Sequence, residues 1–115
     1  MSKPFYLTFD GAPNPPGTDR ILKVLEKHGI KGTFFMEGKR LEKEANCALR
    51  VLQAGHDIGN HSYNHPDFSS IPLEACIEEV DKAERILFAK LGIKTRLLRP
   101  PAGRLTPEVE KALLN

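Results

Sequence analysis

Four times along the 115-residue chain a short apolar run is followed by an amphipathic segment, and no other feature of the sequence limits the fold as strongly. Residues 5–9 are aromatic and β-branched and read as a buried strand, followed by a Pro- and Gly-rich loop over 10–17. Thr18 is placed to cap a helix with Asp19 in its first turn; Ile21, Leu22, Leu25 and His28 keep helical spacing, and Gly29 stops it. Residues 33–36 form a second strand. Leu41, Ala45, Leu49 and Leu52 then mark one face of a single helix over 39–54, ended by Gly55. A third strand over 57–59 leads into a loop over 60–70. Pro72 opens a helix lined by Leu73, Ile77, Val80, Leu87 and Leu91 and closed by Gly92. A fourth strand over 97–99, a loop over 100–103 and a helix opened by Thr106-Pro107 complete the order.

Such alternation implies an α/β protein of parallel βα units with right-handed crossovers. Four units do not close a barrel, which usually takes over ~200 residues. The expectation is one domain over 1–115: either a small open flavodoxin-like sheet or the first half or so of a (β/α) barrel, truncated at its C-terminus. The short last helix favours the second.

Composition removes several function classes. The hydrophobic share of 40% and charged share of 28% are ordinary for a globular protein. The net charge is +2, and no Lys/Arg run suggests a nucleic-acid partner. No apolar stretch approaches the ~20 residues that span a bilayer, so no membrane partner is expected. Met1-Ser2-Lys3-Pro4 leads straight into a strand without a signal peptide's apolar core. The expected compartment is the cytoplasm, with an exported protein trimmed of its leader as the alternative. Cys47 and Cys76 lie in different helical segments without zinc-type spacing and read as free buried thiols.

In parallel α/β folds the working groups lie where strands run out into βα loops. That rule selects Asp10 after strand 1, His61 and His65 after strand 3, and Arg99 with the Pro100-Pro101-Ala102-Gly103 turn after strand 4. It also offers Glu37 after strand 2, without a clear role. In His61-Ser62-Tyr63-Asn64-His65, residues four apart share one side of a helical turn, so both imidazoles can reach one metal. Two solvated loop histidines, or one satisfied core histidine, are the plainer reading. Taken alone, Asp10 reads better as a loop carboxylate or Asx-turn residue. Arg99 is equally readable as a surface partner, or as a guanidinium that pairs with Asp10, holds it ionised and orients it as a base.

Together, Thr8-Phe9-Asp10, the segment Pro13-Asn14-Pro15-Pro16-Gly17-Thr18, the loop Gly59-Asn60-His61-Ser62-Tyr63-Asn64-His65-Pro66, and Arg99-Pro100-Pro101-Ala102-Gly103 resemble the polysaccharide deacetylases, the NodB-homology group of carbohydrate esterases (family 4). The resemblance implies a distorted (β/α) barrel and removal of N- or O-acetyl groups from an acetylated saccharide. It implies Asp10 as general base and His61 and His65 as metal ligands. It implies Arg99 as the brace of the base, and the Pro101-Ala102-Gly103 turn as the source of a backbone N–H for the oxyanion. A divalent metal, zinc by preference, activates water and polarises the acyl carbonyl in such chemistry.

Three departures accompany the resemblance. The family's usual Asp-Asp-Gly-Pro reads Asp10-Gly11-Ala12-Pro13, so Gly11 stands where the family has its third, aspartate ligand, and a weakly held metal is expected. Ala102 stands where an aromatic residue is usual, and the later motifs, with the histidine that protonates the leaving amine, have no match. The alternatives are a degenerate relative that binds saccharide or metal without turnover, and a small α/β interaction domain. A half-barrel also leaves two unprotected sheet edges, so the expectation is that the chain either self-associates through them or needs its missing half. His28 and His56 fit no motif and read as structural or surface residues.

Overall fold

The computed structural model describes residues 7–104 and 106–114. Its elements are β1 (Leu7–Ala12), α1 (Gly17–His28), β2 (Gly32–Met36), α2 (Gly38–Lys43), α3 (Ala45–Gln53), β3 (Asp57–Asn60), α4 (Leu73–Leu91), a 3-10 turn (Pro101–Gly103) and α5 (Pro107–Leu114). The strands are parallel and ordered β1-β2-β3.

Alternation along the strands sorts their side chains onto two faces. Phe9, Phe34 and Ile58 lie in register on one, and Asp10, Phe35 and Gly59 on the other. Helices α1 to α4 cover the first face, where Leu25, Phe34, Met36, Leu41, Val51 and Leu87 form the core. Phe34 and Met36 are fully buried, each stabilising by about 1.5–3 kcal/mol. On the second face the Phe35 ring lies beneath the Arg99 guanidinium, 4.4 Å from its centre. Position 59 must be glycine for this packing, because a Cβ there would meet the Phe35 ring at 2.5 Å. A smaller cluster of Phe68, Cys76 and Val109 fastens the loop after β3 to α4 and α5.

The expected order of elements is found, with four corrections. The first strand continues past residue 9: Asp10 pairs with Phe35 and Ala12 with Met36, with a bulge at Gly11, so the loop begins at Pro13. Gly11 has φ +79°, the left-handed conformation that glycine adopts without steric cost. Phe5 and Tyr6, expected in this strand, lie outside the described residues. Second, Thr18 does not cap α1. Pro16 holds that position, and the buried Thr18 hydroxyl accepts the Asn14 N–H at 2.9 Å, tying the loop to the helix. Third, the helix expected over 39–54 is two helices, broken at Glu44 (φ −125°, ψ 43°). The break lets α2 pack on α4 while Arg50 of α3 reaches Asp19 of α1. Fourth, residues 97–99 make only one parallel bridge, Asn60 to Leu98, rather than a strand.

The Thr106 hydroxyl accepts the Val109 N–H, the cap expected for α5. Both cysteines are free and buried, and burial raises both thiol pKa values. Among the described residues no helix is long and apolar enough to cross a membrane.

Candidate active site

The C-terminal ends of all three strands open onto one set of polar groups. At the end of β1, Asp10 accepts a hydrogen bond from Arg99 Nη1 at 2.9 Å, and the same nitrogen donates to the Thr8 hydroxyl at 2.9 Å. Thr8 and Asp10 share a strand face, so one guanidinium spans both. The expected pairing of Arg99 with Asp10 is therefore present, in an ion pair whose side chains are 36% and 46% exposed.

After β3 the chain holds the two histidines by a different route from the one expected. Residues 61–65 are not helical. Ser62 (φ 69°) and His65 (φ 60°) adopt left-handed backbone, and this reverses the chain so that the two imidazoles meet with centroids 4.8 Å apart. Side-chain hydrogen bonds specify the loop. The Ser62 N–H donates to Asn60 Oδ1 at 2.8 Å, and the His65 N–H donates to the Ser62 hydroxyl at 3.0 Å. Asn60 Nδ2 donates to the Val80 carbonyl at 3.0 Å, fixing the loop to α4. The Ser62 and Tyr63 carbonyls accept the Gly38 and Lys39 N–H groups, satisfying donors at the open end of α2.

His61 is buried, and its Nδ1 lies 2.7 Å from the Arg99 carbonyl. A carbonyl only accepts, so Nδ1 carries the proton and the Nε2 lone pair is left for a metal. Exposed His65 has an Nε2 or Nδ1 in reach of the same point, and so does a carboxylate oxygen of Glu37. Donor atoms of Glu37, His61 and His65 all lie within 4.8 Å of one another. The sequence reading left Glu37 without a role. The signal that could have found it is the same strand-end rule, combined with the vacancy that Gly11 creates on the neighbouring strand.

In the Pro101–Gly103 turn the Gly103 and Arg104 N–H groups are used internally, by the Pro100 and Pro101 carbonyls. Proline 101 has no N–H. Among the described residues the Ala102 N–H is thus the amide of this turn left for an outside oxygen, and Ala102 itself is left-handed (φ 57°). Arg104 next to the turn donates to Asp67 at 2.9 Å, joining it to the histidine loop. The Ser69 hydroxyl and amide, with Arg104, bring the Asp67 carboxyl down to about 2. His28 is exposed and His56 is buried at the opposite end of the sheet, as expected of residues outside the site.

A family model for polysaccharide deacetylases matches residues 1–115. The peptidoglycan-N-acetylglucosamine deacetylase of Bacillus cereus is 37% identical over 99 residues, which cover 86% of this chain and 36% of that protein. The solved structure of the peptidoglycan deacetylase PdaC from Bacillus subtilis superposes with a TM-score of 0.91 at 31% identity, covering 94% of this chain and 54% of that one. A CE4 family pseudoenzyme from Bacillus anthracis superposes with a TM-score of 0.87 at 33% identity, covering 92% of this chain and 38% of that one. A mutant of that protein has restored enzymatic activity. The chain spans between 23% and 42% of the length of the curated relatives it matches.

Proposed function

This chain belongs to the polysaccharide deacetylase family, and from that premise we propose that it serves metal-assisted removal of acetyl groups from an N- or O-acetylated saccharide. The observation that carries the reading is the convergence of a braced carboxylate, Asp10, with two imidazoles and a second carboxylate at the ends of adjacent parallel strands. The donor set fits a divalent cation: a buried imidazole whose Nδ1 is turned to a main-chain carbonyl, an exposed imidazole and a carboxylate. His61 and His65 would hold the ion, which polarises the acyl carbonyl and eases deprotonation of water.

The chain's own groups supply the base and the oxyanion contact. Asp10 takes the proton from the attacking water, and Arg99 keeps the carboxylate aimed by binding its Oδ1. The Ala102 N–H donates to the oxygen that becomes negative as the carbonyl carbon turns tetrahedral. Among the described residues no group is assigned to protonate the leaving amine.

Acetate release from chito-oligosaccharides and peptidoglycan fragments tests the proposal. Release that requires added zinc, stops with a chelator and is lost in Asp10→Asn is the expected result. A zinc-loaded chain that releases no acetate from any acetylated saccharide would overturn it.

Gly11 favours a second reading, a relative that binds saccharide or metal without turnover, and the Bacillus anthracis neighbour named as a pseudoenzyme is similar to this chain over 92% of its length. Saccharide binding with no acetate release would select it. Self-association through the open sheet edges is part of the proposal, and sedimentation over a concentration series tests it, a monomer at every concentration overturning it.

A further inference from the structure

We propose that Glu37, at the end of β2, supplies the carboxylate that Gly11 lacks, completing a Glu37–His61–His65 set for a divalent cation. The inference rests on the metal-dependent reading above and names the third ligand of that site.

Three observations converge on it. First, a donor oxygen of Glu37 lies within 4.8 Å of donor nitrogens on both histidines. Second, the ideal Cβ position of Gly11 is 3.6 Å from Glu37 Oε2. An acidic side chain at position 11 would extend into the space that this oxygen holds. Glu37 thus brings a carboxylate from the neighbouring parallel strand to within reach of the bulge of β1. The Glu37 N–H donates to the Ala12 carbonyl at 3.1 Å, which fixes the end of β2 against that bulge.

Third, the Glu37 side chain is 13% exposed, yet its recorded partner is Arg40, in an i,i+3 contact at 3.3 Å from a side chain 45% exposed. Exposed pairs of this kind contribute little, about 0–1 kcal/mol. Arg40 is therefore a weak competitor for a carboxylate that faces two imidazoles. A tetrahedral zinc site with bonds of about 2.0–2.1 Å needs donors about 3.3 Å apart. The 4.8 Å cluster closes to that spacing by rotation of exposed His65 and release of Glu37 from Arg40.

The assignment removes a conflict. If Asp10 completed the metal site it could not also act as base. Asp10 is engaged by Arg99, and Glu37 makes its recruitment unnecessary. Two histidines and one glutamate are a donor set of catalytic zinc sites, which keep a position open for water or substrate.

The test is calorimetric titration of zinc into the metal-free chain and its variants, with urea unfolding to confirm that each folds. Groups merely hydrogen-bonded to a ligand are worth about 10–100-fold in metal affinity. Loss of a charged donor is expected to cost about a hundredfold, so Glu37→Gln falls as far as His65→Ala while Asp10→Asn stays within about threefold of wild type. In the cobalt-substituted protein the visible absorption changes in Glu37→Gln and not in Asp10→Asn. Wild-type affinity in Glu37→Gln, or a loss in Asp10→Asn instead, would overturn the inference and leave the metal-dependent reading standing. A wild-type chain that takes up no zinc would overturn both.

Discussion

At the end of β1, Asp10 is nearly half exposed and is aimed by one guanidinium, whereas after β3 His61 is buried and is held by main-chain groups. The His61 N–H donates to the Met36 carbonyl, its ring to the Arg99 carbonyl, and the residues beside it are locked by Asn60 and Ser62. The proposed metal side of the site is thus built into the fold, and the proposed base side is attached to it. Damage to the first is expected to cost stability together with metal affinity. Damage to the second is expected to cost turnover alone.

The most severe test of that contrast is Asn60→Ala. It leaves the buried Ser62 N–H without its partner and cuts the side-chain tie to the Val80 carbonyl, which keeps its place in the α4 ladder, a loss of about 1–3 kcal/mol. Urea unfolding and zinc titration should both show it. A variant that binds zinc normally at unchanged stability would show that the loop does not depend on this side chain.

Next in size is the effect of pH on His56, a buried histidine that serves the sheet rather than the site. Its Nδ1 accepts the Gly32 N–H at 3.0 Å, which only the neutral ring can do. Burial, with Lys31 nearby, lowers its pKa below the ordinary 6.5. The unfolded chain then binds the proton more readily, so this contribution is complete above pH 6.5 and is lost as pH falls from there through the lowered value. Wild type should lose stability between about pH 7.5 and about pH 5 in excess of any loss in His56→Gln. Equal losses in the two proteins would assign the pH dependence elsewhere.

Arg99→Met comes third on the stability scale. The ion pair it removes is exposed, so unfolding free energy should change by less than about 1 kcal/mol. Acetate release should nevertheless fall by about tenfold or more, as a positioned base is worth about 10²–10⁴-fold. Zinc affinity should persist. A large loss of stability would erase the distinction between the two sides.

The smallest effect is expected from Arg40→Ala, which frees Glu37 from its competitor and should raise zinc affinity by less than about threefold, with no measurable change in unfolding. A fall in affinity would mean that Arg40 holds Glu37 in place instead of competing for it.

The parallel alternation of strands and helices, and the positions of Asp10 and the two histidines at strand ends, were legible in the sequence because each depends on local pattern and on a general rule about strand ends. What was not legible depends on contacts between distant segments. The break at Glu44 has no glycine or proline to mark it; α2 and α3 both pack on α4, and α3 also meets α1 through Arg50 and Asp19. The histidines converge through left-handed backbone at Ser62 and His65, which the HxxxH spacing does not reveal. Glu37 acquires a role only once β2 lies beside β1 and the gap at Gly11 can be seen to face it. Residues 97–99 have strand composition, yet Asn60 and Leu98 make the only bridge recorded there among the described residues.

Residue 99 contributes to both sides of the site, its guanidinium to Asp10 and its carbonyl to His61. The carbonyl belongs to the backbone and is present whatever side chain the position encodes. Codon changes there can abolish the brace on the base while leaving the histidine's orientation intact. A lineage drifting at this position would therefore lose turnover first and retain a formed cation pocket afterwards. Inactive descendants of such a chain are expected to be metal binders before they are anything else.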